Sequence, residues 1–233
     1  MNQNQYKIQQ EILDHWTDQS IRLCSAKFPP LIYPDLESRD ILFIGLNPSI
    51  AESEEKKYSE IEPSVDALAA DQLEQWRKHR HFQPYHDLEE YLKERKYPIT
   101  WAAIDLFLDR ETKSKVLLNA IRAGKNLTSE AKVQIEYAKK FVEIAAPKMI
   151  VVASAAASHI LRDELRGCSC NPLPCLSPKL EEDGTYRTIV NNQKNIPVFF
   201  SAMLVNGALD AFSRERLFLH IAKTLCPKKS LPK

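Results

Sequence analysis

Three observations predict an α/β domain, a three-layer α/β/α sandwich with a mostly parallel central sheet. Short apolar runs at 40–45, 98–107, 148–153 and 197–201 alternate with stretches of helical periodicity. The run at 148–153 is rich in β-branched residues and that at 40–45 is apolar after Asp40, the pattern of strands buried on both faces and joined by right-handed crossovers. The runs end at Gly45, Leu106, Ala153 and Ser201, which such an alternation brings to one rim.

Taken in order, residues 4–27 place Ile8, Ile12, Trp16 and Leu23 near helical spacing, and Pro29 and Pro30 end that helix. The strand ending at Gly45 follows. Residues 50–63 are charged and aperiodic and read as a long loop over the strand end. Ser64 caps a helix reaching about Arg80, and a second helix covers 87–96. The second strand lies in 98–107 and ends in the polar residues 109–112. Thr128 opens a helix with Val133, Tyr137, Phe141 and Ile144 on one face, stopped by Pro147. After the strand 148–153, a small-residue helix occupies 155–166. A loop rich in Cys and Pro follows, and then two strands, 185–190 and 197–201, joined across 191–195. Ser213 caps a final helix carrying Leu217, Ile221 and Leu225. One domain results, at 31–226, with a helix in 1–30 packed on it and a frayed basic tail at 227–233.

The net charge of +1 carries no global bias toward polyanions, so any nucleic-acid contact must be local. No early run has the form of a signal peptide and no apolar stretch is long enough for a membrane span, so a cytoplasmic monomer is expected. Three of the five cysteines cluster at Cys168, Cys170 and Cys175, but no C-x2-C pair is present. Reduced thiols are therefore expected, with no metal site and no organic cofactor.

The segment most loaded with chemistry is 40–49, where an apolar strand runs into Gly45, Leu46, Asn47, Pro48 and Ser49. In an open parallel sheet ligands bind beyond the carboxyl ends of strands, and glycine there admits close backbone approach. Asn47 either positions a ligand or, as a turn residue, caps a nearby backbone group. Asp105 at the end of the second strand either faces this pocket or pairs with Arg110. The run Arg77 to His81 is either a phosphate-tracking patch or a solvated helix face, and His159 reads as a packed core histidine.

Gly45-Leu46-Asn47-Pro48-Ser49 resembles the first motif, Gly-x-Asn-Pro, of the mismatch-specific and single-strand-selective branches of the uracil-DNA glycosylase superfamily. The order of elements from about 40 to 225 is similar too. The resemblance implies a uracil-DNA glycosylase-like sandwich that hydrolyses the N-glycosidic bond of a modified or mismatched base in DNA. It assigns Asn47 to positioning the attacking water and Gly45, Leu46, Pro48, Ser49 and Asp105 to the flipped base. DNA contacts fall to Ser201, Met203, Leu204 and Asn206, with Ser213 and Arg214 at a helix N-terminus as a phosphate site.

Two departures qualify these implications. The segment matching the second motif, 201–207, has neither His nor Pro, so Met203, Leu204 and Val205 form either a wedge or buried packing. Asp105 stands where the family often carries an Asn that reads uracil. An ionised carboxylate only accepts hydrogen bonds, so it suits exocyclic amines unless a raised pKa keeps it protonated. The alternative is a noncatalytic module of the same fold that binds a nucleotide or nucleic acid.

Overall fold

The structure is a computed structural model, described here for residues 1–24, 28–48, 63–124, 126–205 and 207–226. The elements are α1 (Gln3–Thr17), β1 (Ile41–Gly45), α2 (Val65–Lys78), α3 (Gln83–Glu94), β2 (Trp101–Asp105), α4 (Ser114–Ala120), β3 (Arg122–Ala123), β4 (Asn126–Leu127), α5 (Ser129–Ala145), β5 (Met149–Ala153), α6 (Ala155–His159), β6 (Tyr186–Val190), β7 (Gln193–Ser201) and α7 (Ala211–Leu225).

Five strands form the central sheet in the order β2-β1-β5-β7-β6, all parallel except β6, which pairs antiparallel with β7. Strands β1 and β5 are buried along almost their whole length, as expected for a sheet covered on both faces. On one face α5 packs with α1. On the other α3 packs with α7. The result is a three-layer α/β/α sandwich.

Local chemistry explains most element starts. Ser64 and Thr128 accept the N–H groups of Ala67 and Ala131, capping α2 and α5 as the sequence implies. Helix α7 differs. Its cap is Asp210, whose side chain accepts from Ser213 N–H, so the helix begins earlier than Ser213. Helix α1 stops at Thr17, well before the prolines, and Gln19 turns the chain at φ 66°. The expected helix over 155–166 is a five-residue α6 followed by a π turn, Ile160–Glu164. His159 there is exposed and faces Asp163 at 2.9 Å and Glu164 at 3.4 Å, so it is a surface charge-network residue and not a core one. The short α4 and the β3-β4 ribbon occupy a stretch whose sequence carries no clear periodicity.

The N-terminal helix is part of the domain's core. Gln9 exchanges two hydrogen bonds with the backbone of Tyr33, while Gln5 donates to Pro34 O and accepts from Leu36 N–H. Both glutamine side chains are fully buried, and these bonds satisfy the backbone of the segment leading into β1. Trp16 adds a bond to Phe28 O.

Register sets the functional geometry. Gly45 pairs with Asp105, Ile44 with Val152, Val152 with Phe200, and Ala153 with Ser201. Gly45, Asp105, Ala153 and Ser201 therefore end four parallel strands in one row, with about 10 Å between Gly45 and Ser201 at two strand spacings. The sheet order reverses between β1 and β5, which makes the crevice above them the topological switch point.

Helix α5 ends on Ala146, held at φ 40° and ψ 52°. A Cβ in this left-handed region costs about 1 kcal/mol that glycine avoids. Ala146→Gly is expected to raise stability by about 0.5–1 kcal/mol, read as a higher urea midpoint at unchanged m.

Candidate functional site

The rim is built around one close approach. Gly45 ends β1 directly beside the Asp105 side chain: a Cβ placed on Gly45 would lie 2.0 Å from Asp105 Oδ1 and 3.2 Å from its Cγ. Glycine is favoured here by the protein's own carboxyl group. Asp105 and Gly45 project to the sheet face that also carries Phe43, whose ring stacks on Tyr85 at 3.8 Å between centroids. On the open edge of β2, Asp105 N–H donates to the Tyr33 hydroxyl at 2.8 Å.

The Asp105 carboxyl is thus wedged between a backbone strand and a buried aromatic layer. Burial pushes its pKa up to about 7, opposed only in part by the guanidinium of Arg110. Arg110 is itself buried and donates through Nε to Pro29 O at 3.2 Å. Among the described residues no ion pair joins Arg110 to Asp105, and none donates a hydrogen bond to the Asp105 carboxyl. The Arg110 charge thus acts on Asp105 without a direct ion pair between the two. The phenols of Tyr33 and Tyr85 are both pushed well above their ordinary range, chiefly by burial and further by the neighbouring Asp105 charge.

Asn47 crosses the same seam in the opposite direction. Its Nδ2 donates to Glu111 O at 2.7 Å, with longer contacts to Asp109 O and Pro48 O. The carboxamide is therefore held by main-chain carbonyls beyond the end of β2, the capping role open to a turn asparagine. This fixes the ring of contacts on the nitrogen side, and among the described residues none donates to Oδ1. The seam continues past the strands, with Leu106 N–H on Gly45 O and Phe107 N–H on Leu46 O.

Behind Asn47 lies a buried support. The Asp109 side chain accepts from Leu23 N–H, Cys24 N–H and Gln134 Nε2, the last at 2.5 Å. Gln134 completes its amide by donating to Ile21 O and accepting from Leu108 N–H. Burial raises the Asp109 pKa, and these donors pull it back. Cys24, beside the Asp109 carboxyl, is pushed up to about 11, which leaves it a protonated thiol. No sequence pattern links Tyr33, Tyr85, Asp109 and Gln134, because each reaches the rim through long-range packing.

The loop after β7 is only partly as the sequence implies. Leu204 is buried, whereas Met203 is exposed, and Phe212 in the first turn of α7 is 74% exposed. Arg214 donates to Leu204 O, so it holds this loop. At the N-terminus of α7 the Asp210 carboxylate takes Ser213 N–H and Ser213 Oγ, and those bonds hold its pKa down. The N-terminus of α7 is therefore capped by a carboxylate of the chain itself. Ser201 O receives a long contact from Ser158 Oγ. Leu46 is buried and Pro48 half-buried. Ser49, Asn206, most of the 50–63 loop and the basic tail lie outside the described residues.

Two open hollows of about 690 and 750 Å³ lie along α1, and neither contains Gly45, Asn47 or Asp105. Among the described residues no group of three or more His, Cys, Asp or Glu side chains is placed to hold a metal ion, and no disulfide joins the cysteines. No helix is long and apolar enough to cross a membrane. No protein-family model matches the chain, and no curated protein matches it in sequence.

Two outcomes test this geometry. Gly45→Ala should destabilise the fold by about 1–3 kcal/mol through overpacking, with most of the loss recovered in Gly45→Ala/Asp105→Gly, a coupling that a double-mutant cycle measures. The raised pKa of Asp105 also fixes a sign. The folded state holds this proton more tightly than the unfolded chain, so its contribution is fully favourable below about pH 4 and is lost as pH rises through about 7. Asp105→Asn should therefore stabilise the protein at pH 8, by at most about 4 kcal/mol, and much less at pH 4. Denaturant melts at the two pH values decide it.

Proposed function

We propose that this chain is a divergent uracil-DNA glycosylase-type protein that hydrolyses the N-glycosidic bond of a modified or mismatched base in DNA. The observation that carries the reading is the state of Asn47. Its nitrogen is committed to backbone carbonyls at the end of the β1-β2 seam, and among the described residues none donates to its oxygen. An acceptor fixed in this way orients a water but does not deprotonate it. In this reading the flipped base lies against Gly45, Leu46, Pro48, Ser49 and Asp105, and the loop at Ser201, Met203, Leu204 and Asn206 meets the strand it came from. Exposed Met203 supplies the apolar contact, with Phe212 beside the same loop as an addition that the sequence pattern did not mark. Buried Leu204 supports the loop from beneath.

A second reading, a noncatalytic nucleotide- or nucleic-acid-binding module, draws on the other end of the rim. There Asp210 fills the helix N-terminus and Arg214 is turned to Leu204 O, an arrangement short of phosphate ligands.

Oligonucleotides carrying one uracil, hypoxanthine, xanthine or mismatched thymine, single- and double-stranded, separate the two. Glycosylase activity predicts strand scission after alkaline treatment, reduced about 100-fold or more in Asn47→Ala with the fold verified by circular dichroism. Salt-dependent binding without product on any substrate would favour the binding module.

A further inference from the structure

The rim holds two polar side chains that reach across the β1-β2 seam from opposite sides. Asn47 extends from the end of β1 to the carbonyls of Asp109 and Glu111, and Asp105 extends from the end of β2 over Gly45. Asp105 is the register partner of Gly45, and Asn47 follows Gly45 by two residues, so both side chains stand at the carboxyl end of the β1-β2 seam. One supplies a fixed neutral acceptor, and the other supplies a carboxyl.

We infer that Asp105 is the general base of this site, taking the proton of a water that Asn47 holds by its Oδ1. The inference rests on the glycosidic reading above and assigns a step that Asn47 cannot perform. In that step the water oxygen bonds to the sugar C1′ as the C1′–N bond breaks, and its electron pair leaves on the base. One water proton passes to the Asp105 carboxylate, which returns it to the departing base or to solvent. No oxidant, metal or further reactant enters the balance.

Three features of the surroundings suit this role. The carboxyl accepts no hydrogen bond from any described residue. It is desolvated between Gly45 and the Phe43-Tyr85 stack, which raises its basicity toward neutrality. The titratable groups that face it are Tyr33 from the segment before β1, Tyr85 from α3 and Arg110 beyond its own strand. Both phenols stay protonated through the working range, so Asp105 is the group among these that changes charge near pH 7.

Single-turnover excision from pH 5 to 9 tests the inference, using the best of the oligonucleotides above. The wild type should show a rate that falls tenfold per pH unit below about 7 and reaches a plateau above it. Asp105→Asn should lose about 100-fold or more in the chemical rate of the bound oligonucleotide and lose the pH dependence, with partial rescue by added formate. Asp105→Glu, which keeps the carboxylate, should retain part of the rate. A flat wild-type profile overturns the inference, as does an Asp105→Asn variant that changes only which base is released. Either result leaves the glycosidic reading standing. No product from the wild type on any substrate overturns both.

Discussion

The contact between the Asp105 carboxyl and the Gly45 backbone constrains this molecule more than any other. It favours glycine at the end of β1, because a Cβ there would meet the carboxyl oxygen at 2.0 Å and displace the Asp105 side chain. It fixes the face on which the seam opens, since Gly45 and Asp105 are register partners and share a side with Phe43. It also places an ionisable group in a desolvated position at a cost in stability.

The rest of the rim is organised to hold that seam open. The glutamine pair Gln5 and Gln9 anchors the segment bearing Tyr33, and Tyr33 in turn caps the outer edge of β2 at Asp105. Gln134 reaches from α5 to fasten Asp109, and the carbonyl of Asp109 helps to hold Asn47. Thus both helices of one layer position a site lying largely on the other side of the sheet. These amides are buried and fully used, so they act as rigid spacers rather than as candidates for chemistry.

The two ends of the rim differ in character. At β1 and β2, no described residue donates a hydrogen bond to Asn47 Oδ1 or to the Asp105 carboxyl. At β7 and α7 the polar groups satisfy one another, with Asp210, Ser213 and Arg214 closed on local partners. Polar groups are therefore concentrated at the β1-β2 seam, while the far loop presents mainly apolar shape, through Met203 and Phe212.

The sequence by itself determined the layers, the strand ends and two of the helix caps. Apolar runs, periodicity and Ser or Thr before a helix are local signals, and local energetics fixed their outcome at β1, β5, α2 and α5. It also marked Gly45, Asn47 and Asp105 as neighbours on one rim, because strand order in an alternating chain leaves few other arrangements. Only the tertiary structure decided what those residues face. That Asp105 feels the Arg110 charge without a hydrogen bond from it, that Asn47 turns its nitrogen to Asp109 and Glu111, and that Asp210 rather than Ser213 caps α7 depend on which groups packing brings within reach. Desolvation of a carboxyl, likewise, is a property of the atoms around it, and those come from segments distant in the chain.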